Sequence, residues 1–166
     1  MAAVTNHGRA AGTLSKRRFA NCVKRWPLAG ANEGNAPIAT GTTFDAGMLV
    51  KRDASGNLVK SAGTDYEKLL IALDDYDAYD VVEAGKCPFL EGSNYTFETS
   101  ALVAGSYAIG DRLKSGSGGN AGLFTKIAAA PADDLKQQWE VEEVRTEILS
   151  QSGSSVTVVR ISPVIK

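Results

Sequence analysis

The sequence is 166 residues long, 43% hydrophobic, rich in glycine and close to neutral, with a formal net charge of −1. This length and apolar content predict roughly one folded domain with at most one appendage, and they exclude disorder over the whole chain. The near-zero net charge gives no strong signal for a nucleic-acid or membrane partner. No apolar run reaches the ~18 residues of a transmembrane helix, and the first 30 residues contain no apolar core of a secretory signal. We therefore expect a protein that is made and used in the cytosol, without a membrane partner.

The charge is distributed unevenly along the chain. Residues 1–35 have a net charge of +5 and the remainder has −6. Small residues, Gly and Asn dominate residues 1–36, and the basic residues there are Arg9, Lys16, Arg17, Arg18, Lys24 and Arg25. Phe19, Val23 and Trp26 recur at helical spacing, which predicts at most one short helical turn before Pro27. The pattern predicts an extended basic N-terminal arm over residues 1–36 that gains structure on contact with a partner.

From residue 37 the sequence changes to short β-prone runs with frequent turn signals. This texture predicts a mainly β body over residues 37–166, a small β-barrel or a β-sandwich. A weak helix is predicted over 131–138, and the Gly/Ser-rich stretch 115–122 is predicted to be a flexible hairpin tip. Within 139–149 the alternation breaks once, which suggests a bulge. The predicted strands are 48–52, 58–60, 68–75, 94–99, 111–114, 123–127, 139–149 and 156–161.

A faint internal repeat runs through the body. Residues 46–51 lead through a turn to 58–60, and residues 109–114 lead through the Gly/Ser loop to 123–126. Each hairpin is followed by a third strand that ends in an acidic pair, at 71–75 and at 139–143. Chance similarity between two β-hairpins is the preferred interpretation of the pattern. If the repeat is real, it predicts a pseudo-symmetric body.

The sequence contains no recognisable catalytic constellation. His7, the only histidine, lies in the arm, where it cannot be held in the geometry that a catalytic base needs. No G-x-S-x-G elbow is present, and the glycine-rich stretch 115–120 lacks the Lys-Ser/Thr pair of a phosphate-binding loop. We therefore expect no enzyme activity, no catalytic residues and no cofactor.

Cysteines and acidic residues give weak metal signals. Cys22 and Cys87 share no short spacing with other ligands, which predicts two unpaired thiols and no metal site. An acidic run lacks the Gly and the final Glu of a calcium loop, so a solvated acidic loop is the preferred interpretation. Whether the run binds a cation or a neighbouring basic arm stays open. Its members are Asp74, Asp75, Asp77, Asp80 and Glu83.

Residues 44–75, FDAGMLVKRDASGNLVKSAGTDYEKLLIALDD, and again residues 107–126, resemble the small β-barrel proteins that decorate the heads of tailed bacteriophages. The shared pattern is an apolar-Gly-x-x-Leu entry, a strand, a glycine turn, a returning strand and then an apolar strand. The resemblance implies a capsid decoration or cement protein on the capsid surface of a virion, assembled in the host cytoplasm. It also implies the major capsid protein as the partner and a homo-oligomer, with a trimer favoured over a dimer.

The arm is the predicted partner-binding site in this interpretation. Phe19, Trp26 and Leu28 are the expected apolar anchors, and Arg17, Arg18 and Arg25 are expected to pair with acidic partner residues. Lys16, Arg17 and Arg18, together with the aromatic residues, are also the only candidate nucleic-acid site, although nucleic acid is not the favoured partner. The alternatives are a phage tail, collar or fibre-attachment protein, and a carbohydrate-binding β-sandwich that would use Tyr76, Tyr79 and Tyr95.

Overall fold

A computed structural model describes residues 23–27, 32–63, 68–73, 86–92, 95–128, 137–148 and 155–164. The fold is mainly β, as predicted, and its two antiparallel sheets make it sandwich-like rather than a closed barrel. The described chain contains a single 3-10 turn at Gly118–Asn120. Its strands are β1 Val23–Pro27, β2 Asn32–Pro37, β3 Leu49–Arg52, β4 Leu58–Lys60, β5 Leu70–Ala72, β6 Lys86–Glu91, β7 Tyr95–Thr99, β8 Arg112–Ser115, β9 Phe124–Lys126, β10 Trp139–Ile148 and β11 Ser155–Pro163.

The two sheets have the same strand order. The first is β2-β6-β5-β3-β4, and the second is β7-β11-β10-β8-β9 with β1 added beside β7. Counted within each half of the chain, both orders read first, fifth, fourth, second, third. A parallel bridge also joins the residue run after the first strand to the third strand in both halves, through Ile38 and Leu58 in one and Leu102 and Phe124 in the other. The internal repeat is therefore real at the level of topology.

Hydrogen bonds match between the two halves, residue for residue. Gly47 N–H donates to Ala72 O, and Gly110 N–H donates to Val141 O, both at 2.8 Å. Gly47 and Gly110 both have positive φ, a conformation that glycine adopts without strain. In β5 and β10 the equivalence is one residue away from the sequence-based alignment. Val50 pairs with Leu70 and Leu113 pairs with Trp139, so Trp139 corresponds to Leu70 rather than Ile71.

One core lies between the two sheets. Leu49, Ile71 and Leu90 of the first sheet are fully buried in the same cluster as Phe97, Trp139 and the other inward side chains of the second sheet. A second cluster fills the opposite face of the first sheet, where Val50, Ala72 and Phe89 meet the chain that follows β2 at Ile38 and Phe44. Side chains on alternate positions of a strand point to opposite faces, so both faces of the first sheet are apolar.

Several sequence-based expectations need correction. Val23–Pro27 and Asn32–Pro37 form strands β1 and β2, so the arm predicted over residues 1–36 does not extend through these ranges. Val23 and Trp26 belong to a strand rather than to the helical turn that their spacing suggested. Strand β6 was not predicted, because Pro88 lies in its middle. Of the helix predicted over 131–138, only residues 137–138 lie in the described chain, and they are not helical.

The Gly/Ser-rich stretch 115–122 is packed against the first half rather than being a free hairpin tip. Leu49 N–H donates to Gly122 O at 2.7 Å, and Gly122 N–H donates to Ser61 O at 2.9 Å. The hydroxyls of Ser61 and Ser115 are hydrogen-bonded at 2.5 Å and both are buried. A Cβ on Gly63 would lie 2.6 Å from Gly116 O, so the two hairpins approach at backbone distance. The glycines permit this contact between the halves.

Candidate interaction surface

The predicted arm residues fall into two groups. Lys16, Arg17, Arg18, Phe19 and Leu28 lie outside the described residues. Arg25 and Trp26 lie in β1, where Arg25 is opposite Phe97 and Trp26 is opposite Thr96 in β7. The structure therefore fixes the backbone of two predicted partner-binding residues at the edge of the second sheet.

Strand β1 is built into that sheet over its whole length. Five register pairs join it to β7, from Val23 opposite Thr99 to Pro27 opposite Tyr95. Because β7 pairs with β11 on its other edge, β1 is the outermost of the described strands on this side. Alternate residues of an antiparallel pair form backbone hydrogen bonds worth ~1 kcal/mol each, although Pro27 has no N–H to donate. Residues 1–22 therefore join the body at a fixed point, next to Thr99.

A charged cluster, defined here as Glu98, Glu143, Arg145, Glu147 and Arg160, lies on the strands next to β1. Glu98 accepts from Arg160 Nη2 through Oε1 at 2.9 Å and from Arg145 Nη2 through Oε2. Arg160 Nη1 also meets Glu143 Oε2 at 2.8 Å, and Arg145 Nη2 meets Glu147 Oε1 at 2.6 Å. The two guanidinium groups thus bridge three carboxylates across β7, β11 and β10.

Glu98 is the buried centre of this cluster. Its side chain is 1% exposed, whereas those of Arg145 and Arg160 are 24% and 35% exposed. The hydrogen bond to Glu98 raises the pKa of the Arg145 guanidinium further above its ordinary value, so the side chain stays charged. A carboxylate this deeply buried needs compensating charge, and two arginines supply it. In β1, Lys24 lies opposite Glu98, so the cluster lies close to the point where residues 1–22 join the body.

Sequence reasoning did not find this cluster. Its members come from strands that are remote in the chain, and only their alternation within β10 was visible beforehand. The bulge that was suspected in this strand occurs between Val141 and Glu143. Because an extra residue reverses which side chains share a face, it brings Glu143, Arg145 and Glu147 onto the face of Glu98. The cluster can hold three strands in register, and it leaves a partly exposed, charged face on the body.

The remaining candidate sites give no chemistry within the described chain. The acidic run Asp74–Glu83, Tyr76, Tyr79, His7 and Cys22 lie outside the described residues. Cys87 is a buried thiol whose Sγ–H donates to Pro88 O. The described residues hold no group of three or more His, Cys, Asp or Glu side chains that could bind a metal ion. Among them there is also no helix long and apolar enough to cross a membrane.

Tyr95 is a core residue rather than an exposed aromatic. It is 3% exposed, and its hydroxyl accepts the indole N–H of Trp139 at 2.8 Å. Burial raises the pKa of the Tyr95 phenol well above its usual value, so it remains a neutral hydrogen-bonding group. Trp139 in turn packs edge-to-face on Phe124 with ring centroids 5.0 Å apart. The pair closes the core between the sheets and does not supply a sugar-stacking surface.

Comparisons with known proteins identify no relative. No protein-family model, curated protein or solved structure matches the chain.

Proposed function

We propose that this chain is a virion structural protein that binds the outer surface of a tailed-phage capsid and cements neighbouring major capsid proteins. The observation that carries the proposal is the attachment of the basic segment. Residues 1–22 have a net charge of +4 without one acidic residue, and they lead directly into β1, which five pairs hold at the sheet edge. A charged segment that is joined at a fixed point to a stable body can bind one capsid subunit while the body binds its neighbour, and we call this arrangement stapling.

The tandem body supports the same function. The two stretches that resemble decoration proteins, residues 44–75 and 107–126, fall in equivalent positions of the two halves, since Gly47 and Gly110 make equivalent hydrogen bonds. The described residues of both stretches are mostly strands and tight turns. A body of this kind offers rigid surface, and the half-exposed charged cluster gives it a polar face for a protein partner.

Attachment on this proposal works by burying surface. A stable protein interface buries on the order of 1,600 Å², and an extended segment reaches such an area with few residues. The segment loses conformational entropy on binding, so the affinity of each copy is modest and several copies in an oligomer, a trimer by the resemblance, increase it by avidity. Phe19, Trp26 and Leu28 are the proposed anchors, while Arg17, Arg18 and Arg25 pair with acidic groups of the capsid protein.

The carbohydrate-binding alternative is weakened by Tyr95. A glycan site needs aromatic faces that are open to solvent, and Tyr95 is buried against Trp139. The other two tyrosines of that hypothesis lie outside the described residues.

Co-sedimentation with phage particles stripped of this protein tests the proposal. We expect the wild-type chain to bind heads, and deletion of residues 1–22 to abolish binding while β1 and the body stay folded. Phe19→Ala should weaken binding at every salt concentration by about 2 kcal/mol, since buried apolar area is insensitive to salt. Neutralising Lys16, Arg17 and Arg18 together should weaken binding mainly at low salt, because exposed ion pairs are screened.

A matched control neutralises three lysines of the body, Lys60, Lys68 and Lys86, and should leave binding unchanged. Binding to tails rather than heads would support the tail or collar alternative instead. If the arm triple variant loses all binding at every salt concentration while Phe19→Ala binds normally, the segment is an electrostatic tether. The stapling mechanism would then be wrong, and nucleic acid would become the better partner.

A further inference from the structure

The repeat reveals a difference between the two first strands. In the second half, β7 pairs with β11 on one edge and with β1 on the other. In the first half, β2 occupies the equivalent place and pairs with β6, the counterpart of β11. Within the described chain no strand lies along the other edge of β2 at Asn32–Ala36, and no backbone hydrogen bond joins Gly34, Asn35 or Ala36 to that side. Among the described residues, no strand fills beside β2 the position that β1 fills beside β7, and we call this side of β2 the open edge.

Residue-by-residue equivalence defines this open edge. In the first half, Phe89 lies between Ala72 on one side and Gly34 on the other. In the second half, Ile161 lies in the same way between Val141 and Phe97. Gly34 thus corresponds to Phe97, which places Asn35 at the position of Glu98 and Ala36 at that of Thr99. Asn35 is exposed, as expected for a residue on an edge that a further strand could cover.

The chain contains a second copy of the β1 sequence. Strand β1 contains Lys24-Arg25-Trp26, and the segment before it contains Arg17-Arg18-Phe19. Both runs are two basic residues followed by an aromatic residue, and a small or imino residue follows each, Ala20 or Pro27. The same order of two basic residues and one aromatic residue therefore occurs seven residues before β1, outside that strand.

We infer that the open edge of β2 accepts residues 16–20 of a second copy of this chain as an added strand, in the register that β1 has on β7. In this register Arg17 lies opposite Asn35, Arg18 opposite Gly34 and Phe19 opposite Glu33. The charges are complementary, since residues 1–22 carry +4 and residues 23–166 carry −5. Glu33 lies at the end of the edge that receives Phe19.

A second copy is the donor because of chain length. Only Asn21 and Cys22 separate residues 16–20 from β1, and three residue steps span about 10 Å at most. Within that reach the chain would have to leave the edge of one sheet and enter the edge of the other as an aligned strand. Donation between copies removes this constraint. Since the donor segment and the acceptor edge are different surfaces, repeated donation forms a ring when the rotation between copies closes, and the proposed trimer is such a ring.

This inference goes beyond the proposed function, because it concerns copies of the chain in the absence of a capsid. An added strand uses one of its two edges, so the other edge of residues 16–20 remains available to the capsid protein. Failure of the strand exchange would leave capsid binding intact, and failure of capsid binding would leave the oligomer intact.

Cross-linking between separately prepared chains tests the exchange. One chain carries Arg17→Cys and the other carries Asn35→Cys, both with Cys22→Ser and with the buried Cys87 retained. Residues opposite each other in an antiparallel pair have Cα atoms about 4.5–5.5 Å apart, within the range of a disulfide. We expect mild oxidation of the mixture to give a heterodimer between the two chains as the main product. A matched control, Ala10→Cys mixed with Asn35→Cys, should give little of it.

Sedimentation of the purified protein provides the second measurement. The wild-type chain should sediment as an oligomer, and deletion of residues 1–20 should reduce its mass to that of a monomer with an unchanged circular dichroism spectrum. An oligomer that survives the deletion would overturn the inference. So would an intramolecular disulfide in the double variant Arg17→Cys/Asn35→Cys without any heterodimer in the mixture, since the segment would then pair with its own chain.

Discussion

The two halves of the protein share one topology but differ in one face of the sheet. This face, called the outer face of each half, carries Leu49 in the first half and Arg112 in the second. Leu49 and Arg112 occupy equivalent positions, as the pairs of Val50 with Leu70 and of Leu113 with Trp139 show. In the first half this face is apolar, and Leu49, Ile71 and Leu90 are fully buried against the second sheet. In the second half the corresponding residues are Arg112, Glu140 and Ser162, and Arg112 and Glu140 form a half-exposed ion pair at 2.7 Å.

The comparison shows how a duplicated β unit becomes a single domain. If the two units were identical, their outer faces would both be apolar or both be polar. Two apolar outer faces would leave one of them exposed to water, and two polar outer faces could not pack together. One unit with an apolar outer face and one with a polar outer face form a sandwich with a solvated exterior. The charged cluster around Glu98 lies on the polar exterior, beside the strand that leads in from the N-terminal segment. The asymmetry therefore positions the candidate interaction surface.

Exchanging the equivalent residues should give the largest effect. Leu49→Arg places an unpaired guanidinium in the core between the sheets, which we expect to cost about 4 kcal/mol or more and to abolish the folded state. The matched exchange, Arg112→Leu, should change stability by only about 0.5 kcal/mol because the site is solvated. Urea denaturation followed by circular dichroism measures both. Equal effects of the two substitutions would show that the two outer faces are not used differently.

Removing the central carboxylate should give the next largest effect. Glu98→Gln leaves two arginines without their buried partner, and we expect a loss of about 2–4 kcal/mol, somewhat below that of a fully buried pair because both guanidinium groups are partly exposed. Glu140→Gln, in the exposed pair with Arg112, is the control and should cost about 0–1 kcal/mol. Thermal and urea unfolding measure the difference. A Glu98→Gln protein as stable as the control would mean that the cluster contributes only surface charge.

A size exchange between the halves should give a smaller effect. Gly34 corresponds to Phe97, and its partner Phe89 corresponds to Ile161. The large aromatic residue of the pair is therefore on β6 in the first half and on β7 in the second. A Cβ at Gly34 would lie 2.6 Å from Phe89 Cζ, so Gly34→Ala should cost about 1–3 kcal/mol through overpacking. Adding Phe89→Ile should remove part of that cost. A double-mutant cycle measures the coupling, and strictly additive effects would contradict the exchange.

The smallest effect concerns a turn that is chemically different in the two halves. Ala108 N–H donates to Asp111 Oδ2 at 2.7 Å, whereas the equivalent Asp45 N–H meets Met48 Sδ at 3.5 Å. The hydrogen bond from Lys126 is the main cause that lowers the pKa of Asp111 below its ordinary value. Because the folded-state pKa is lowered, the stabilisation is present above about pH 4 and is lost as pH falls through the folded-state pKa.

The substitution Asp111→Asn should therefore lower stability slightly at pH 7 and have no effect at the acid end. Urea midpoints between pH 2 and pH 7 measure this difference. A Met48→Leu variant is the control, and its difference from wild type should not depend on pH. A constant difference for Asp111→Asn across the range would show that the carboxylate charge plays no part.

The sequence predicted what local alternation and turn chemistry determine. The β3–β4 hairpin, β7 and the bulge in β10 follow from period-two patterns and glycine turns, and the structure confirms them. Strand β2, with the sequence NEGNAP, has almost no β propensity, and β6 contains Pro88. These two strands exist because they pair with each other over six positions, a contact between residues about 55 apart that no local pattern reveals.

The candidate surface depends even more on such remote contacts. In the sequence, Glu98 is an ordinary solvent-facing residue of a half-buried strand. Only the hydrogen bonds from Arg145 of β10 and Arg160 of β11 show that it is a buried ion. The basic and aromatic residues of the N-terminal segment were visible in the sequence. Their proposed use at the edge of β2 was not visible, because that inference follows from comparing β2 with β7.

Cryo-electron microscopy of intact virions that contain this chain tests the central claim most directly. We predict density of this size on the outer surface of the head, at the junctions between major capsid proteins, with the start of β1 directed toward a neighbouring subunit. The edge of β2 should carry an additional strand contributed by an adjacent copy. Density confined to the tail or collar, or a head surface without this protein, would contradict the account.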